Sequence, residues 1–500
     1  MNKLKFGPQK TKAMVITKKL KYDSPLLTMG GVDVGLSTEI KILGLTIDSK
    51  LTFNTHVQNA CRKALRLYGQ LSRAAKVQWG LEPDVIRTIY TAVVEPVILY
   101  AASAWAPAAD KLVSRKQFDA VQRGFAQKLV KGYRTVSLNS ALVLAGLLPL
   151  DLRVREVSLL YEIRRGYSRR VVGDREVERP VPFVSRAHPA EHVKLSYGCV
   201  VDGAELNQQN IGGINIYTDG SKIDGKVGAA LSVWNNDAET DTRKLQLAPY
   251  CTVYQAELLA LNEASKYIQK SSVATCSVFC DSRSALDAVV SGVSLQPLAH
   301  QTHANLTSAV ANNKTVKLFW IKAHAGLEGN ERVDLLAKDA ARKLKGRPKY
   351  DQCPVSFVKR QLRRESLDEW NRRYKTGATG AITKIFLPDA IDAYKIIRTT
   401  PLDPVLVQVM TGHGGFSEYL HRFKCKGSPA CVCDPEQSES VPHILLDCPV
   451  HAKDRADLEI KLKMDIKEQN IAKIMEDSKM KTAFINYCIK VANKVIKRNK

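Results

Sequence analysis

Four acidic residues in the middle of the chain have the type and placement that metal-dependent phosphate chemistry requires. Asp219 closes a short apolar run, Glu257 lies within a longer one, Asp281 ends the run VFCD, and Asp334 follows a glycine-containing loop. Any one of them alone is most simply a turn residue or a helix cap. Together they supply carboxylate oxygens, which are the ligands that Mg²⁺ prefers in proteins.

Hydrolysis of a phosphodiester at neutral pH needs a nucleophilic water and stabilisation of charge on the attacking and leaving oxygens. Two divalent ions about 3.5 to 4 Å apart provide both. Carboxylates that are grouped in one place can hold two such ions, Mg²⁺ or Mn²⁺. Because the carboxylates repel one another without metal, we also expect at least one of them to have a raised pKa.

The segments that carry these acids alternate between strand and helix patterns. Strands are predicted at residues 214–221, 229–234, 276–282 and 316–324, and helices at residues 253–268 and from Glu328 onward. This alternation predicts an α/β domain over residues 211–345. Because strand ends meet at one edge of a sheet, we expect the strand-end acids to lie close together.

Four segments of this region resemble, in order, the successive motifs of type-1 ribonuclease H: YTDGS, VYQAELLAL, VFCDSRSAL and FWIKAHAGLEGNERVDLLAK. That family cuts the RNA strand of RNA/DNA hybrids. The resemblance implies a mixed five-stranded sheet with flanking helices. It also implies that Asp219 bridges both ions, with Asp281 and Glu257 on one side and Asp334 on the other.

The same resemblance assigns roles to three further residues. His324, ten residues before Asp334, would act as a general acid/base or in product release, although a lone histidine is more often structural. Gly220 and Ser221 would let backbone amides approach the RNA strand. Cellular members usually have asparagines where this chain has Val and Tyr at positions 253 and 254, so that part of the minor-groove contact differs here.

The charge of the chain points to a polyanionic partner. Lysine and arginine number 75 against 50 acidic residues, which gives a formal net charge of +25. Residues 1–179 hold 30 basic and 15 acidic side chains, whereas residues 211–345 hold 15 and 13. The N-terminal flank would therefore grip phosphates, unless its charge is simply a solvated basic surface.

The N-terminal residues 1–165 show short strands around Gly30 and Gly31 and then a helical pattern from Asn54. The segments KTKAMVITKK and EIKILGLTIDSKLTFNTHV resemble the primer grip and thumb that follow the palm in non-LTR retrotransposon reverse transcriptases. The alternative is a helical bundle that only packs on the nuclease. The Tyr/Phe-Ala-Asp-Asp turn of the polymerase does not occur, so no polymerase activity is expected. Residues 166–210, rich in proline, are predicted to be a linker.

The C-terminal region contains a possible zinc site. Cys431, Cys433, His443 and Cys448 follow a C-x-C-x₉-H-x₄-C spacing, which suits tetrahedral Zn²⁺. The spacing and its lead-in resemble the CCHC knuckle after ribonuclease H in arthropod-type non-LTR elements. Alternatively these cysteines are buried hydrophobes, or Cys425 replaces one ligand. Such a knuckle would bind single-stranded nucleic acid or serve only as a structural staple.

The remaining C-terminal segments are predicted to be helical: a connector at residues 346–424 precedes the knuckle at 425–450, and a Lys-rich helix follows at 451–500. The other cysteines are scattered, which argues against a disulfide framework. Neither a secretion signal nor a membrane-spanning run is recognised, so we expect an intracellular protein, nuclear or cytoplasmic, without a membrane partner.

The whole chain thus resembles the C-terminal part of a non-LTR retrotransposon Pol polyprotein with several domains. We expect a hydrolase acting on RNA/DNA hybrids, with single-stranded nucleic acid and a reverse transcriptase chain as further candidate partners. Two alternatives stay open: a catalytically silent nucleic-acid-binding remnant, and a host ribonuclease H with unrelated flanks.

Overall fold

A computed structural model describes residues 7–17, 19, 21–74, 81–185, 188–191, 193–201, 212–236, 238–323 and 326–500. Part of the predicted linker, and His324 of the predicted site, lie outside these residues.

The chain begins with short strands and continues with helices. The strands are β1 (Thr28–Met29), β2 (Val32–Asp33), β3 (Glu39–Ile42) and β4 (Leu45–Asp48). The helices are α1 (Asn54–Ala74), α2 (Pro83–Ile89), α3 (Glu95–Leu99), α4 (Ala102–Trp105), α5 (Leu112–Leu129), α6 (Leu138–Ala145) and α7 (Leu150–Arg165). β1 pairs with β2 and β3 with β4, both antiparallel, so the predicted short strands are present and form two hairpins.

The middle of the chain alternates strands and helices. Its strands are β5 (Tyr197–Val200), β6 (Ile214–Ile223), β7 (Lys226–Asn235), β8 (Ala238–Leu247), β9 (Thr275–Cys280) and β10 (Thr315–Ile321). Its helices are α8 (Val253–Lys270), α9 (Arg283–Val290), α10 (Pro297–Ala311) and α11 (Glu328–Lys343).

The C-terminal part is mainly helical. It contains α12 (Val355–Thr376), α13 (Ala381–Phe386), α14 (Ala390–Arg398), α15 (Pro404–Thr411), α16 (Ser417–Arg422), α17 (Ala452–Leu462), α18 (Glu468–Glu476) and α19 (Ser478–Arg498), with a hairpin of β11 (Ala430–Cys431) and β12 (Asp434–Ser438) between α16 and α17.

The chain divides into two compact units. The first unit combines Met1–Tyr161 with Leu362–Lys500, and the second is Glu162–Gln361. The first unit is held together by one hydrophobic core, to which Trp105 and Phe125 contribute from the N-terminal part and Phe484 and Val491 from the C-terminal part. Burying one large apolar side chain contributes about 1.5 to 3 kcal/mol, so this shared core explains why the two ends of the chain fold together.

The C-terminal segment differs from the single Lys-rich helix predicted for residues 451–500, because three helices occupy it. α17 ends where Lys463 adopts a left-handed backbone conformation with φ of 53°. α19 begins at an N-cap, Asp477, whose carboxylate accepts hydrogen bonds from the backbone N–H groups of Lys479 and Met480. These two local signals interrupt the helical pattern.

Within the described part of the chain, no single helix has both the length and the apolar character to cross a membrane. Two consecutive helical segments, Pro83–Leu99 and Ala102–Asp110, meet these criteria only when taken together, and only by length and composition. The bend between them is 46°.

The second unit is built on a six-stranded mixed sheet in the order β5-β10-β9-β6-β7-β8. β5, β10, β9 and β6 are parallel, and β7 is antiparallel to both of its neighbours, β6 and β8. The α/β fold is confirmed, with one strand more than the five predicted. The additional strand is β5, which comes from the segment predicted to be a linker and pairs with β10 at the edge of the sheet.

Helices cover both faces of this sheet. Ile214 and Ile216 of β6 belong to the core under α8 and α10, whereas Tyr217 belongs to the core under α11. α11 can lie directly on β7 because position 228 is glycine. A Cβ atom there would lie 2.4 Å from the carbonyl oxygen of Ala337. This close packing fixes where α11 presents its polar residues.

Candidate active site and metal centre

Asp219 and Glu257 come together because β6 and α8 approach each other closely at Gly220. A Cβ atom at Gly220 would lie 2.5 Å from the backbone nitrogen of Glu257 and 2.9 Å from the carbonyl carbon of Ala256. Any larger residue would push the helix away from the strand. The glycine therefore sets the distance between two of the four predicted carboxylates.

The first turn of α8 is anchored by side chains that sequence reasoning missed. Thr252 and Gln255 form a capping box. The amide nitrogen Nε2 of Gln255 also donates to Oε1 of Glu178 at 2.9 Å. The same oxygen accepts from Nε2 of Gln296 at 2.9 Å and from the hydroxyl of Tyr350 at 2.6 Å. Glu178 lies in the segment that was predicted to be a linker. Its role in anchoring α8 is visible only from these hydrogen bonds to residues far away in the sequence.

Asp281 follows β9 and lies beside Glu257. Ligand atoms of Glu257, Cys280 and Asp281 all lie within 4.8 Å of one another. The thiol Sγ of Cys280 is 3.9 Å from Oε2 of Glu257, and burial raises the pKa of that thiol well above its usual value. The indole Nε1 of Trp320 donates to the backbone oxygen of Asp281 at 2.9 Å. The sequence identified Cys280 only as one of the scattered cysteines and did not predict its contact with Glu257.

Asp334 lies on α11, where it forms an ion pair. Nζ of Lys338, one turn later, is 2.6 Å from Oδ2 of Asp334. After burial, which is the largest cause, the charges of Asp281 and Asp334 raise the pKa of Asp219, and the ammonium of Lys338 opposes that rise. Asp334 and Lys338 therefore lie close enough to Asp219 to belong to the same site.

The expected pKa perturbation is present. Asp219 and Glu257 are only 7% and 5% exposed. Burial, and then repulsion from Asp281 and Asp334, raise the pKa of Asp219 to about 7. Burial and the charges of Asp219 and Asp281 raise the pKa of Glu257 well above its usual value. The site therefore holds more negative charge than the protein alone balances.

The donor set fits divalent metal ions. Oδ2 of Asp219 is buried and accepts no hydrogen bond among the residues that the structure describes. A buried carboxylate oxygen without a partner is costly, and a cation would satisfy it. Asp219, Glu257, Asp281 and Asp334 together offer hard oxygen ligands, which suit Mg²⁺ or Mn²⁺.

The three other predicted site residues are placed differently. Gly220 is packed against α8, and Ser221 is half-buried one residue further along β6. His324 lies outside the described residues. The side chains of Val253 and Tyr254, at the start of α8, are 40% and 36% exposed, so this position presents apolar surface.

The four predicted zinc ligands come together in the first unit. The ligand atoms of Cys431, Cys433, His443 and Cys448 all lie within 4.8 Å of one another. Sγ of Cys431 is 3.8 Å from Sγ of Cys448, and Sγ of Cys433 is 3.2 Å from Nε2 of His443. Three sulfurs and one imidazole at such distances are compatible with Zn²⁺. Cys425 is exposed and is not part of this group.

Glu439 lies between Cys433 and His443 in the sequence, and its contacts connect this segment to the C-terminal end of the chain. This fully buried carboxylate accepts hydrogen bonds from the backbone N–H of Ser417 at 3.1 Å and from its hydroxyl at 2.7 Å. It also contacts Arg498 and the side-chain amide of Asn499.

All eleven cysteines are free, in agreement with the absence of a disulfide framework.

Comparison with known proteins finds a family match within the second unit. Residues 212–342 match the RNase H family. Two solved structures align with about a quarter of the chain. They are the N-terminal RNase H domain of a Mycobacterium tuberculosis protein (18% identity, 26% of this chain, 98% of that one, TM-score 0.22) and RNase H1 of Halobacterium salinarum (17%, 25%, 96%, TM-score 0.22).

The curated relatives come from retrotransposable elements. A putative 115 kDa protein in a type-1 element of Drosophila melanogaster is 27% identical over 32% of this chain and 15% of its own length. A retrovirus-related Pol polyprotein from a type-1 element of Nasonia vitripennis is 27% identical over 36% of this chain and 42% of its own length. The matched part thus spans less than half of either relative. The chain carries an RNase H domain at residues 212–342 and is related to the Pol polyproteins of non-LTR retrotransposons.

Proposed function

We propose that this chain is an endoribonuclease that hydrolyses the RNA strand of RNA/DNA hybrids, with two divalent ions held by Asp219, Glu257, Asp281 and Asp334. The observation that carries the proposal is the buried carboxylate cluster inside the RNase H match, with an unpartnered oxygen on Asp219. Asp334 pairs with Lys338, but a merely structural set of acids would be expected to have a donor for the buried Oδ2 of Asp219 as well, and none is found among the described residues.

Bound divalent ions would lower the pKa of a nucleophilic water and stabilise charge on the attacking and leaving oxygens. The protein's own contribution is to fix the ligands before substrate arrives. Gly220 sets the spacing between Asp219 and Glu257, and the capped first turn of α8 keeps Glu257 in place. Lys338 balances part of the negative charge beside Asp334.

Further residues would handle the substrate. We propose that the imidazole of His324 moves a proton at the leaving oxygen, in keeping with its position ten residues before Asp334. Backbone groups at Gly220 and Ser221 would contact the RNA strand, where a 2′-hydroxyl distinguishes RNA from DNA. The exposed Val253 and Tyr254 would replace polar minor-groove contacts with apolar ones.

The flanking regions would support this activity. We propose that Cys431, Cys433, His443 and Cys448 hold Zn²⁺ as a staple in the first unit. Residues 1–165, with twice as many basic as acidic side chains over 1–179, would act as a thumb-like grip on the template. We also propose that the chain associates with a separate reverse transcriptase chain, because its relatives come from retrotransposable elements. We propose that it resides in the nucleus or the cytoplasm.

The test is incubation of the purified chain with an RNA/DNA hybrid that carries a different label on each strand, in the presence of Mg²⁺. We expect shortening of the RNA strand alone, and no cleavage of double-stranded RNA or double-stranded DNA. A hybrid that is bound but stays intact would instead support the catalytically silent remnant.

A further inference from the structure

A cluster of aromatic side chains surrounds Tyr419 in the first unit, and none of its rings belongs to the carboxylate site or to the zinc-compatible group. The ring of Tyr419 lies 4.7 Å from that of Phe423, 5.1 Å from that of His413 and 6.1 Å from that of Tyr133, measured between centroids. Tyr133 belongs to the loop after α5, so the cluster joins two distant parts of the sequence.

Hydrogen bonds hold the cluster in one arrangement. The hydroxyl oxygens of Tyr419 and Thr135 are 2.8 Å apart, and Nδ1 of His413 is 2.9 Å from the same threonine oxygen. Thr135 therefore links the loop after α5 to α16 and to the segment before it. A platform whose rings are fixed in advance loses little conformational entropy when a ligand stacks on it.

The outer rings of the cluster are open to solvent. Tyr133 is 45% exposed and Phe423 is 42% exposed. Aromatic rings of this size normally gain free energy from burial, so two rings that both contact Tyr419 and keep exposed surface offer stacking area to a ligand. Phe118 and Phe125, in the core of the unit, are buried by contrast.

The surroundings of these rings are basic. Residues 131–135 and 418–426 contain five lysines and arginines and one acidic residue, Glu418. Lys131 pairs with Glu82 at 3.3 Å, whereas Arg134, Arg422 and Lys424 are exposed. The guanidinium of Arg422 lies 5.8 Å from the ring centre of Phe423. Cationic groups thus border the open rings.

We propose that this surface, formed by Tyr133, Arg134, Tyr419, Arg422, Phe423 and Lys424 and called the Tyr419 patch, binds single-stranded nucleic acid. Unpaired bases stack on Tyr133 and Phe423, and phosphates contact the three basic side chains. Stacking on exposed rings beside positive charge is how proteins hold single strands without sequence preference. A duplex keeps its bases stacked on each other and would gain only the phosphate contacts.

The experiment measures binding of the full chain to fluorescently labelled oligothymidylate by anisotropy, over a series of salt concentrations. The variant is Tyr133→Ala with Phe423→Ala. Loss of one or two stacked bases is expected to weaken binding about 10- to 100-fold. Tyr133→Trp with Phe423→Trp is expected to bind at least as tightly as wild type. Phe183→Ala, which removes an aromatic ring that is 81% exposed elsewhere in the chain, is the matched control and is expected to change nothing.

A second variant separates charge from stacking. Arg422→Gln with Lys424→Gln should lower the slope of log affinity against log salt by about 1.4, because each phosphate contact to a single strand accounts for about 0.7. The double alanine variant should leave that slope unchanged.

Unchanged affinity in the double alanine variant, with the fold intact by circular dichroism, would overturn the proposal. Equal loss of affinity for a labelled DNA duplex would overturn it as well, since a duplex offers no open base faces. Both outcomes are independent of hybrid cleavage, because neither substitution touches the carboxylate site.

Discussion

Nζ of Lys338 lies 2.6 Å from Oδ2 of Asp334, one turn along the same helix. The ammonium also offsets part of the rise in the pKa of Asp219 that burial and the neighbouring carboxylates cause, so its charge acts on a second carboxylate of the site. A cation built into the protein therefore occupies one side of the proposed metal centre. Any divalent ion that binds Asp334 must compete with it.

Removing this internal cation should strengthen metal binding. Lys338→Met is expected to increase the affinity for Mn²⁺ about fivefold, because removing the ammonium that competes for Asp334 should favour metal binding by roughly 1 kcal/mol. Isothermal titration calorimetry measures it. Lys343→Met is the matched control, because Lys343 forms the same kind of ion pair on α11 with Asp339, at 2.9 Å. Weaker binding in Lys338→Met would mean that the lysine supports the metal site.

The stability of β6 in the absence of divalent metal should fall as the pH rises. Burial and neighbouring carboxylates raise the pKa of Asp219 from 3.8 to about 7, so between these values Asp219 holds its proton in the folded chain and has lost it in the unfolded chain. The contribution of Asp219 to stability is therefore fully present below pH 4 and is lost as the pH rises towards 7. Hydrogen exchange of the amides of Ile214–Ile223 in metal-depleted buffer measures this.

The same argument predicts the behaviour of Asp219→Asn. At pH 8 without metal this variant should stabilise β6 by on the order of 1 to 3 kcal/mol, and below pH 4 it should make no difference. Added Mg²⁺ should restore stability to wild type only. Equal opening free energies at pH 5 and pH 8 in wild type would contradict the account.

Gly220→Ala should separate β6 from α8. The added Cβ atom would lie 2.5 Å from the backbone nitrogen of Glu257, and a clash with backbone cannot be relieved by a side-chain rotation. We expect destabilisation of about 1 to 3 kcal/mol and weaker Mn²⁺ binding. Gly212→Ala, where no atom lies within 4 Å of the added group, is the control and should match wild type. Intact Mn²⁺ binding in Gly220→Ala would show that the spacing tolerates change.

Zinc should bind at one site per chain. Mass spectrometry of the metal content is expected to find one Zn²⁺ in wild type and in Cys425→Ser, and none in Cys448→Ser. The turn that begins at His443 carries Ile444 and Leu445 into the core of the first unit, and the hydroxyl of Tyr487 donates to the backbone oxygen of Leu445 at 2.7 Å. Loss of zinc should therefore also lower the melting temperature of that unit.

A Cys448→Ser variant that keeps its zinc would contradict this assignment. Loss of zinc in Cys425→Ser would indicate that Cys425 serves as a ligand, which was an alternative from the sequence.

The sequence predicted the main elements of the second unit because their signals are local. The strand β6, which carries Asp219, and the helix α8, which carries Glu257, have strong apolar patterns. Each begins at its predicted residue and extends two residues beyond its predicted end, so Asp219 lies within β6 and not at its end. β8 was missed because its sequence AETDTRKLQL is polar, as suits the edge of a sheet. β5 was missed because four residues give too short a pattern.

Long-range relationships could not be predicted in the same way. The pairing of Glu178 with Gln255 and the contact of Cys280 with Glu257 depend on how the chain returns, not on any local spacing. The core that the N-terminal and C-terminal parts share also depends on contacts between residues far apart in the sequence. Lys338 is an exception, because its spacing of four residues from Asp334 on a predicted helix could have indicated the ion pair.

The most direct test of the account compares two aspartates on hybrid cleavage at saturating Mg²⁺. Asp219→Asn removes the proposed bridging ligand, whereas Asp339→Asn removes an aspartate on α11 that pairs with Lys244 and Lys343 outside the site. We expect Asp339→Asn to cleave the RNA strand at the wild-type rate and Asp219→Asn to be slower by about a thousandfold or more, with hybrid binding retained. Equal rates for Asp219→Asn and wild type would contradict the claim that these carboxylates form the catalytic metal centre.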